Sequence, residues 1–524
     1  MRRAISILLC WLCCGHVYAQ QHNQLHIEKL NHAFTYLRNN YVDEVDVEPL
    51  VEAALEATLK ELDPHSSYLP REEFLDMYNG INGEYSGVGF SMTTLRDTLV
   101  VMRTLDGSPS ERAGVKKNDR VVSVNGTSLI GVEYREAVEL LRGKKGSVAS
   151  LSILRGGKEL TIDVVRDDIP TNAIGSAFML DGNIAYVRVD SFLSKTTTEE
   201  FCDAIKTLKA KPNAIIVDLR GNIGGLLPSA IQFSELFLQR GDVIVTVEGR
   251  SKTTTYQASK RGIYADIPVV VLTDEETASA SEIVAGALQD HDRAVIVGRR
   301  SFGKGLVQRL IKFKDESGMK ITIARYKTPS GRIIQRPYTN GEHEEYIADQ
   351  ERYQRRDTAN IPDSLIFSTL NLKRKVYGGG GISPDIYINR ETTPLSPFTR
   401  TVLEHGIAEQ VIIAYFDRVD VDEFMVNHPT LEAYSERFTL DAASVELMGH
   451  LVTDVNPDAA TDATGMSECI AIVEAQMAEE LYDAGSRYKL YGRHHDLVFK
   501  RAVEIINDKM FQKSILSPIS RQTE

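Results

Sequence analysis

Residues 269–290 read VVVLTDEETASASEIVAGALQD, and this stretch decides the architecture. Val269, Val270, Val271 and Leu272 form an unbroken apolar run after Ile267 and Pro268. A strand without polar alternation is buried on both faces, as in a parallel sheet covered by helices. A polar turn follows. From residue 281 to 289 the apolar positions return at helical spacing. A buried strand running directly into a helix is half of a βαβ unit.

The same alternation extends outward. Residues 184–189 and 214–219 read as strands, 199–209 and 228–238 as helices, and 294–297 as a further strand. Together they predict a mostly parallel α/β core over residues 168–390, with a polar surface excursion at 339–362. Upstream, residues 84–167 are of another kind. They hold a Gly87-Val88-Gly89-Phe90 loop, short strands, an Asn125-Gly126 turn, a helix over 134–142 and a hairpin at Gly156-Gly157. Residues 20–83 are helical, with Leu30, Ala33, Phe34 and Leu37 at helical spacing. Residues 391–524 are mainly helical and carry no assignable chemistry.

The 524 residues suggest roughly three or four domains. A net charge of −13, without a long basic block, argues against nucleic acid or an anionic membrane as partner. Arg2 and Arg3, an apolar run over 4–14, and Val17-Tyr18-Ala19 form an export signal over residues 1–19. The expectation is cleavage after Ala19 and residence in the periplasm or cell envelope, with a retained N-terminal membrane anchor as the alternative. Only Cys202 and Cys469 then remain, so neither a disulfide framework nor a zinc site is expected.

Three segments carry candidate chemistry. Ser279 stands at a strand-to-helix turn, where a helix N-terminus favours developing negative charge. Ser279-x-x-Glu282 is equally a capping box, and Ser281 is a competing hydroxyl. Lys304, in Phe302-Gly303-Lys304-Gly305, has no acid beside it in sequence. A lysine acts as a base only when neutral, against a free pKa of about 10.4, and burial among apolar groups favours that form. The third segment, Asp218-Leu219-Arg220-Gly221-Asn222-Ile223-Gly224-Gly225, can aim backbone amides at an oxyanion. It lacks the lysine and hydroxyl of a phosphate-binding loop.

The order of these segments resembles that in the C-terminal processing peptidases, or tail-specific proteases. The likeness runs from about residue 25 to 390. It includes Leu62-Asp63-Pro64-His65-Ser66, Gly286-Ala287-Leu288-Gln289-Asp290, Ala324-Arg325-Tyr326, Thr328-Pro329-Ser330-Gly331-Arg332 and Gly381-Ile382-Ser383-Pro384-Asp385. The resemblance implies a ClpP/crotonase-like α/β protease core with an inserted PDZ domain. It implies Ser279 as nucleophile, Lys304 as general base and Gln308 as the residue orienting that lysine. The oxyanion donors would be the Ala280 amide and one of Gly224 and Gly225, with Gly224 preferred. Glu282 and Asp290 would be structural support. Gly87, Val88, Gly89 and Phe90 would hold a substrate's C-terminal carboxylate, its tail adding to the sheet edge. Arg142 is the candidate for relaying tail binding to the protease core. No metal or cofactor is implied. The partners would be polypeptides with accessible tails, with an adaptor or activator and self-assembly left open. His291 is disfavoured as a triad member. The rival readings are a non-catalytic PDZ scaffold on the same fold and an acyl-CoA enzyme on the crotonase layout.

Overall fold

A computed structural model describes residues 25–508, except 83–85, 96, 106, 170–171, 209, 343–345, 347–360, 390–394, 460–462, 484 and 493–494. The export signal expected over residues 1–19 lies outside the described residues. The chain divides into two compact units.

One unit joins the N-terminal residues up to Phe74 to segments 309–322 and 338–346. Its helix Val47–Lys60 is capped by Asp46, whose carboxylate accepts from the Glu48 amide. The Asp63-Pro64-His65-Ser66 turn is organised by buried Asp63. That carboxylate accepts from the His65 and Ser66 amides at 2.9 and 3.0 Å, from Ser66 Oγ at 2.6 Å and from Thr322 Oγ1 at 3.1 Å. Strand Ser67–Leu69 then pairs antiparallel with residues 318–320.

The second unit contains the α/β core. Its six strands lie in chain order across one sheet: β1 Ile174–Leu180, β2 Ile184–Val189, β3 Ala214–Asp218, β4 Val269–Thr273, β5 Ala294–Gly298 and β6 Ile386–Tyr387. β1 is antiparallel to β2, and every later pairing is parallel. Strands β3, β4 and β5 are buried at every position, as their apolar runs require, and the burial extends to Asp218 and Thr273 at the ends of β3 and β4. Helices α1 Thr197–Thr207, α2 Leu227–Glu235 and α3 Ala280–Asp290 contribute Phe201, Phe233, Ile283 and Leu288 to the core on one face, with Ile215, Val217 and Val271. The other face carries Tyr186, Ile216, Val270 and Val295, covered by Val498, Phe499, Ala502 and Ile505 of α4 Leu497–Asn507. The second layer of the sandwich therefore comes from the far end of the chain.

The PDZ part is a separate antiparallel sheet in the order Phe90–Leu95, Thr98–Thr104, Arg120–Val124, Val148–Arg155, Lys158–Val165. Helix Tyr134–Leu141 buries Ala137 and Leu141 in its core. Among the described residues Phe90–Leu95 pairs with a strand on one side only, which makes it an edge strand able to take a further strand. Gly89 lies just before it at φ +82°, and a Cβ there would stand 2.6 Å from Ser108 Cβ. Arg142 pairs with Asp76 at 2.7 Å. The helices between Pro397 and Leu481 build their own core around Phe398, Val411, Phe424 and Met448. Arg120 and Lys116 of the PDZ part meet Asp417 and Asp422 of these helices at 2.7 and 2.6 Å. Between them, Lys117 pairs with the largely buried Glu480.

Candidate active site

Three turns converge at the N-terminal end of α3: the loop after β3, the turn between β4 and α3, and residues 301–308. Thr277 joins the first two, its Oγ1 donating to the Leu219 carbonyl at 2.9 Å. The Ala278 amide donates to the Asn222 carbonyl at 3.0 Å, and the Phe302 amide to the Thr277 carbonyl at 2.9 Å.

The Glu282 carboxylate holds the second and third turns together. It is fully buried. It accepts from the Ser279 amide at 2.8 Å, the Lys304 amide at 2.8 Å, the Gly303 amide at 2.7 Å and Ser301 Oγ at 2.5 Å. Burial pushes this carboxyl above its ordinary value, and the four donors pull it back. All four partners donate, so the anion is the form that fits. A raised folded pKa means that ionisation costs stability: the stabilising term is complete below the ordinary glutamate pKa and lost as pH rises through the raised one. Glu282 fixes position at some expense in stability. The buried Tyr326 hydroxyl ties the same two turns, lying 3.0 Å from the Ser279 carbonyl and 2.8 Å from that of Lys304.

Ser279 is half-buried, with φ +55° and ψ −113°. A residue with a Cβ pays roughly 1–3 kcal/mol for such a backbone, and this kind of strain clusters at functional sites. The Glu282 amide donates to the Ser279 carbonyl at 3.0 Å, and Ser279 and Glu282 form a capping box at the start of α3. Lys304 Nζ donates to Gln308 Oε1 at 2.8 Å. Ser281 is buried, and its Oγ donates to the Asn222 carbonyl at 3.0 Å, away from any open surface. His291 caps the opposite end of the 11-residue α3, roughly 18 Å from Ser279 by helical rise, with Nε2 2.7 Å from the Val243 carbonyl.

The glycine pair is corrected by this geometry. The Gly224 amide is 2.9 Å from Asn222 Oδ1 and donates to it. The Gly224 carbonyl and the Leu226 amide are both bonded to Phe192. Between them the Gly225 amide has no acceptor among the described residues, and the same holds for Ala280 at the start of α3. Gly225 rather than Gly224 thus keeps an available donor. Gly224 serves by its lack of a side chain, since a Cβ would lie 2.8 Å from the Ala280 nitrogen.

Asp290 lies at the far end of α3, where its Oδ1 pairs with fully buried Arg332 at 2.7 Å and its Oδ2 accepts from the Ser330 amide at 2.9 Å. Gln289 accepts from Arg332 at 2.7 Å and donates to Asp385 and the Ser383 carbonyl at 3.0 Å. The Gly286–Asp290, Thr328–Arg332 and Gly381–Asp385 segments thereby meet in one buried polar cluster. Sequence reasoning assigned no contact to Tyr326 and only a general support to Glu282. The signal for Glu282 was its place three residues after Ser279. Among the described residues, no group of three or more His, Cys, Asp and Glu side chains is arranged to hold a metal ion.

Comparison with known proteins gives the family and the domains. The family described as peptidase family S41 matches residues 183–341, a PDZ domain matches 86–165, and the N-terminal domain of the activating protease CtpB matches 15–73. The carboxy-terminal processing protease CtpA of Bacillus subtilis is 34% identical over 338 residues, covering 64% of this chain and 70% of that protein. The chain belongs to peptidase family S41. The carboxy-terminal-processing protease of Bartonella bacilliformis is 36% identical over 325 residues, covering 60% of this chain and 74% of that protein. Among solved structures, the photosystem II D1 C-terminal processing protease is 26% identical, covering 69% of this chain and 86% of its own, at a TM-score of 0.37. This S41 chain is a serine peptidase of the C-terminal processing group. Its α/β core, PDZ domain and helical flanks are those expected from sequence.

Glu282→Gln places an NH2 donor among four donors. Misplacement of a reacting group by 1 Å costs about 100-fold in rate, so kcat of this variant should fall by about that factor. The thermal midpoint should drop by only a few degrees. Steady-state kinetics and a melting curve on the same preparation check both.

Proposed function

We propose that Ser279 and Lys304 form the catalytic dyad of an exported endopeptidase that recognises substrates by their C-terminal tails. The observation that carries this reading is the Glu282 carboxylate, which binds the Ser279 and Lys304 amides through the same oxygen. Neutral Lys304 takes the Ser279 proton. The Ser279 oxygen attacks a peptide carbonyl, whose oxyanion is held by the Gly225 and Ala280 amides. Lys304 returns the proton to the leaving amine as the C–N bond breaks. Water, deprotonated by Lys304, then hydrolyses the ester and regenerates Ser279. Gln308 Oε1 accepts a hydrogen bond from Lys304 Nζ and fixes the direction of the amine.

The PDZ domain supplies selection. Its edge strand Phe90–Leu95 can add a substrate tail as a further strand, and the preceding Gly87-Val88-Gly89 turn stands where that tail would end. The leader sequence of residues 1–19 supports action in the periplasm or cell envelope. The intact Ser279, Lys304 and Gln308 set favour a peptidase over a non-catalytic scaffold.

Ser279→Ala and Lys304→Ala should each abolish cleavage of an unstructured polypeptide with the circular dichroism spectrum unchanged, whereas Ser281→Ala should remain active. An active Ser279→Ala with a dead Ser281→Ala would assign the wrong serine. Tail selection is checked separately. Amidating a peptide substrate's C-terminus should raise KM several-fold, and an unchanged KM would remove the carboxylate from recognition.

A further inference from the structure

The loop that offers the Gly225 amide begins at a buried ion cluster which reaches the far end of the chain. Asp218, the last residue of β3, is fully buried. It accepts from Tyr186 Oη at 2.7 Å, from the Arg220 amide at 3.0 Å, and from Arg220 Nε and Nη2 at 2.9 and 2.6 Å. The Arg220 guanidinium thus closes back onto its own loop through two nitrogens. Its third nitrogen, Nη1, pairs with Asp496 Oδ2 at 2.7 Å. Asp496 also caps α4, its Oδ1 accepting from the Phe499 amide at 3.0 Å. One carboxylate therefore fixes both the helix that covers the sheet and the arginine at the base of the loop.

A second contact runs in parallel. Arg188 of β2 donates to Tyr488 Oη at 2.6 Å, and Tyr186, which bonds Asp218, is stacked edge-on against Phe499 at 5.4 Å. Burial pushes the Asp218 carboxyl up, but the charge and hydrogen bonds of Arg220 more than offset this and hold it below its ordinary value. The cluster is a set of charges with fixed partners, and removing one leaves a desolvated guanidinium searching for another acceptor.

We propose that Asp496 is a positioning residue for the peptidase reaction, setting the loop of residues 218–225 through Arg220. This rests on the reading of that loop as the oxyanion site. The physical reason is geometric. An oxyanion donor works only when held at hydrogen-bond distance from the developing charge, and losing one such donor costs about 100- to 1000-fold in kcat. A loop loosened at its base retains part of that effect. A residue of the C-terminal region thereby becomes a working part of the active site.

The two functions of Asp496 can be separated by substitution. Serine caps a helix nearly as well as aspartate but is neutral and too short to reach Arg220. Glutamate keeps the charge and caps poorly. With denatured casein as substrate and rates expressed per titrated active site, Asp496→Ser should lower kcat about tenfold with KM within twofold of the parent. Asp496→Glu should retain most of the activity. The reverse order, or equal loss in both variants, would overturn the proposal and leave Asp496 as a helix cap only. So would full activity of Asp496→Ser. Ser279→Ala measured alongside tests the underlying reading: if it still cleaves, that reading fails, whereas a dead Ser279→Ala beside a fully active Asp496→Ser sinks only the anchoring role.

Discussion

The geometry of the candidate site depends on one buried carboxylate. Glu282 lies in the first turn of α3, and its two oxygens collect hydrogen bonds from Ser279, Ser301, Gly303 and Lys304. Two segments more than twenty residues apart in sequence are thereby set side by side, with backbone amides as the contact points. Amide contacts of this kind fix where a residue's Cα stands, and hence where its side chain can reach. A buried carboxylate with four donors is costly to desolvate. The raised position of its pKa reflects that cost. What it provides is a single allowed arrangement of the serine turn and the lysine loop, reinforced by the Tyr326 hydroxyl within reach of both carbonyls.

The opposite end of α3 is held in a comparable way. Asp290 and Gln289 bind Arg332, and Gln289 also binds Asp385. A helix locked at both ends by polar contacts cannot slide along the sheet beneath it. The strained Ser279 backbone is then imposed by its surroundings. The loop that carries Gly225 is fixed separately, by Asn222 from within and by the Asp218–Arg220–Asp496 cluster at its base. The scattered segments of the resemblance thus have physical reasons to occur together. Those at 277–290, 301–308, 324–332 and 381–385 each supply one side of a buried polar contact around α3.

Much of the fold was legible from the chain. The apolar run at 269–272 and its counterparts at 184–189 and 214–219 fixed a parallel sheet, because a strand buried on both faces has no polar positions to spare. The PDZ part was readable through its order of strands, turns and helix. The covering role of α4 was not. Its apolar residues show a helix with one buried face, but nothing local says that the face belongs to a sheet begun more than three hundred residues earlier. At the site, Ser279 and Glu282 were visible as a helix start, and local sequence could not separate a cap from a nucleophile. The choice between Gly224 and Gly225 was beyond sequence for another reason. Which amide points outward depends on backbone torsions and on the Asn222 side chain, and adjacent glycines give no preference.

The central claim is that this scaffold activates one hydroxyl, that of Ser279, through Lys304. The most direct measurement is to react the full chain with a fluorophosphonate probe and locate the adduct by peptide mapping. The account predicts a single adduct on Ser279, absent when Lys304 is replaced by alanine. An adduct on Ser281, or one on Ser279 that forms equally fast without the Lys304 amine, would contradict it.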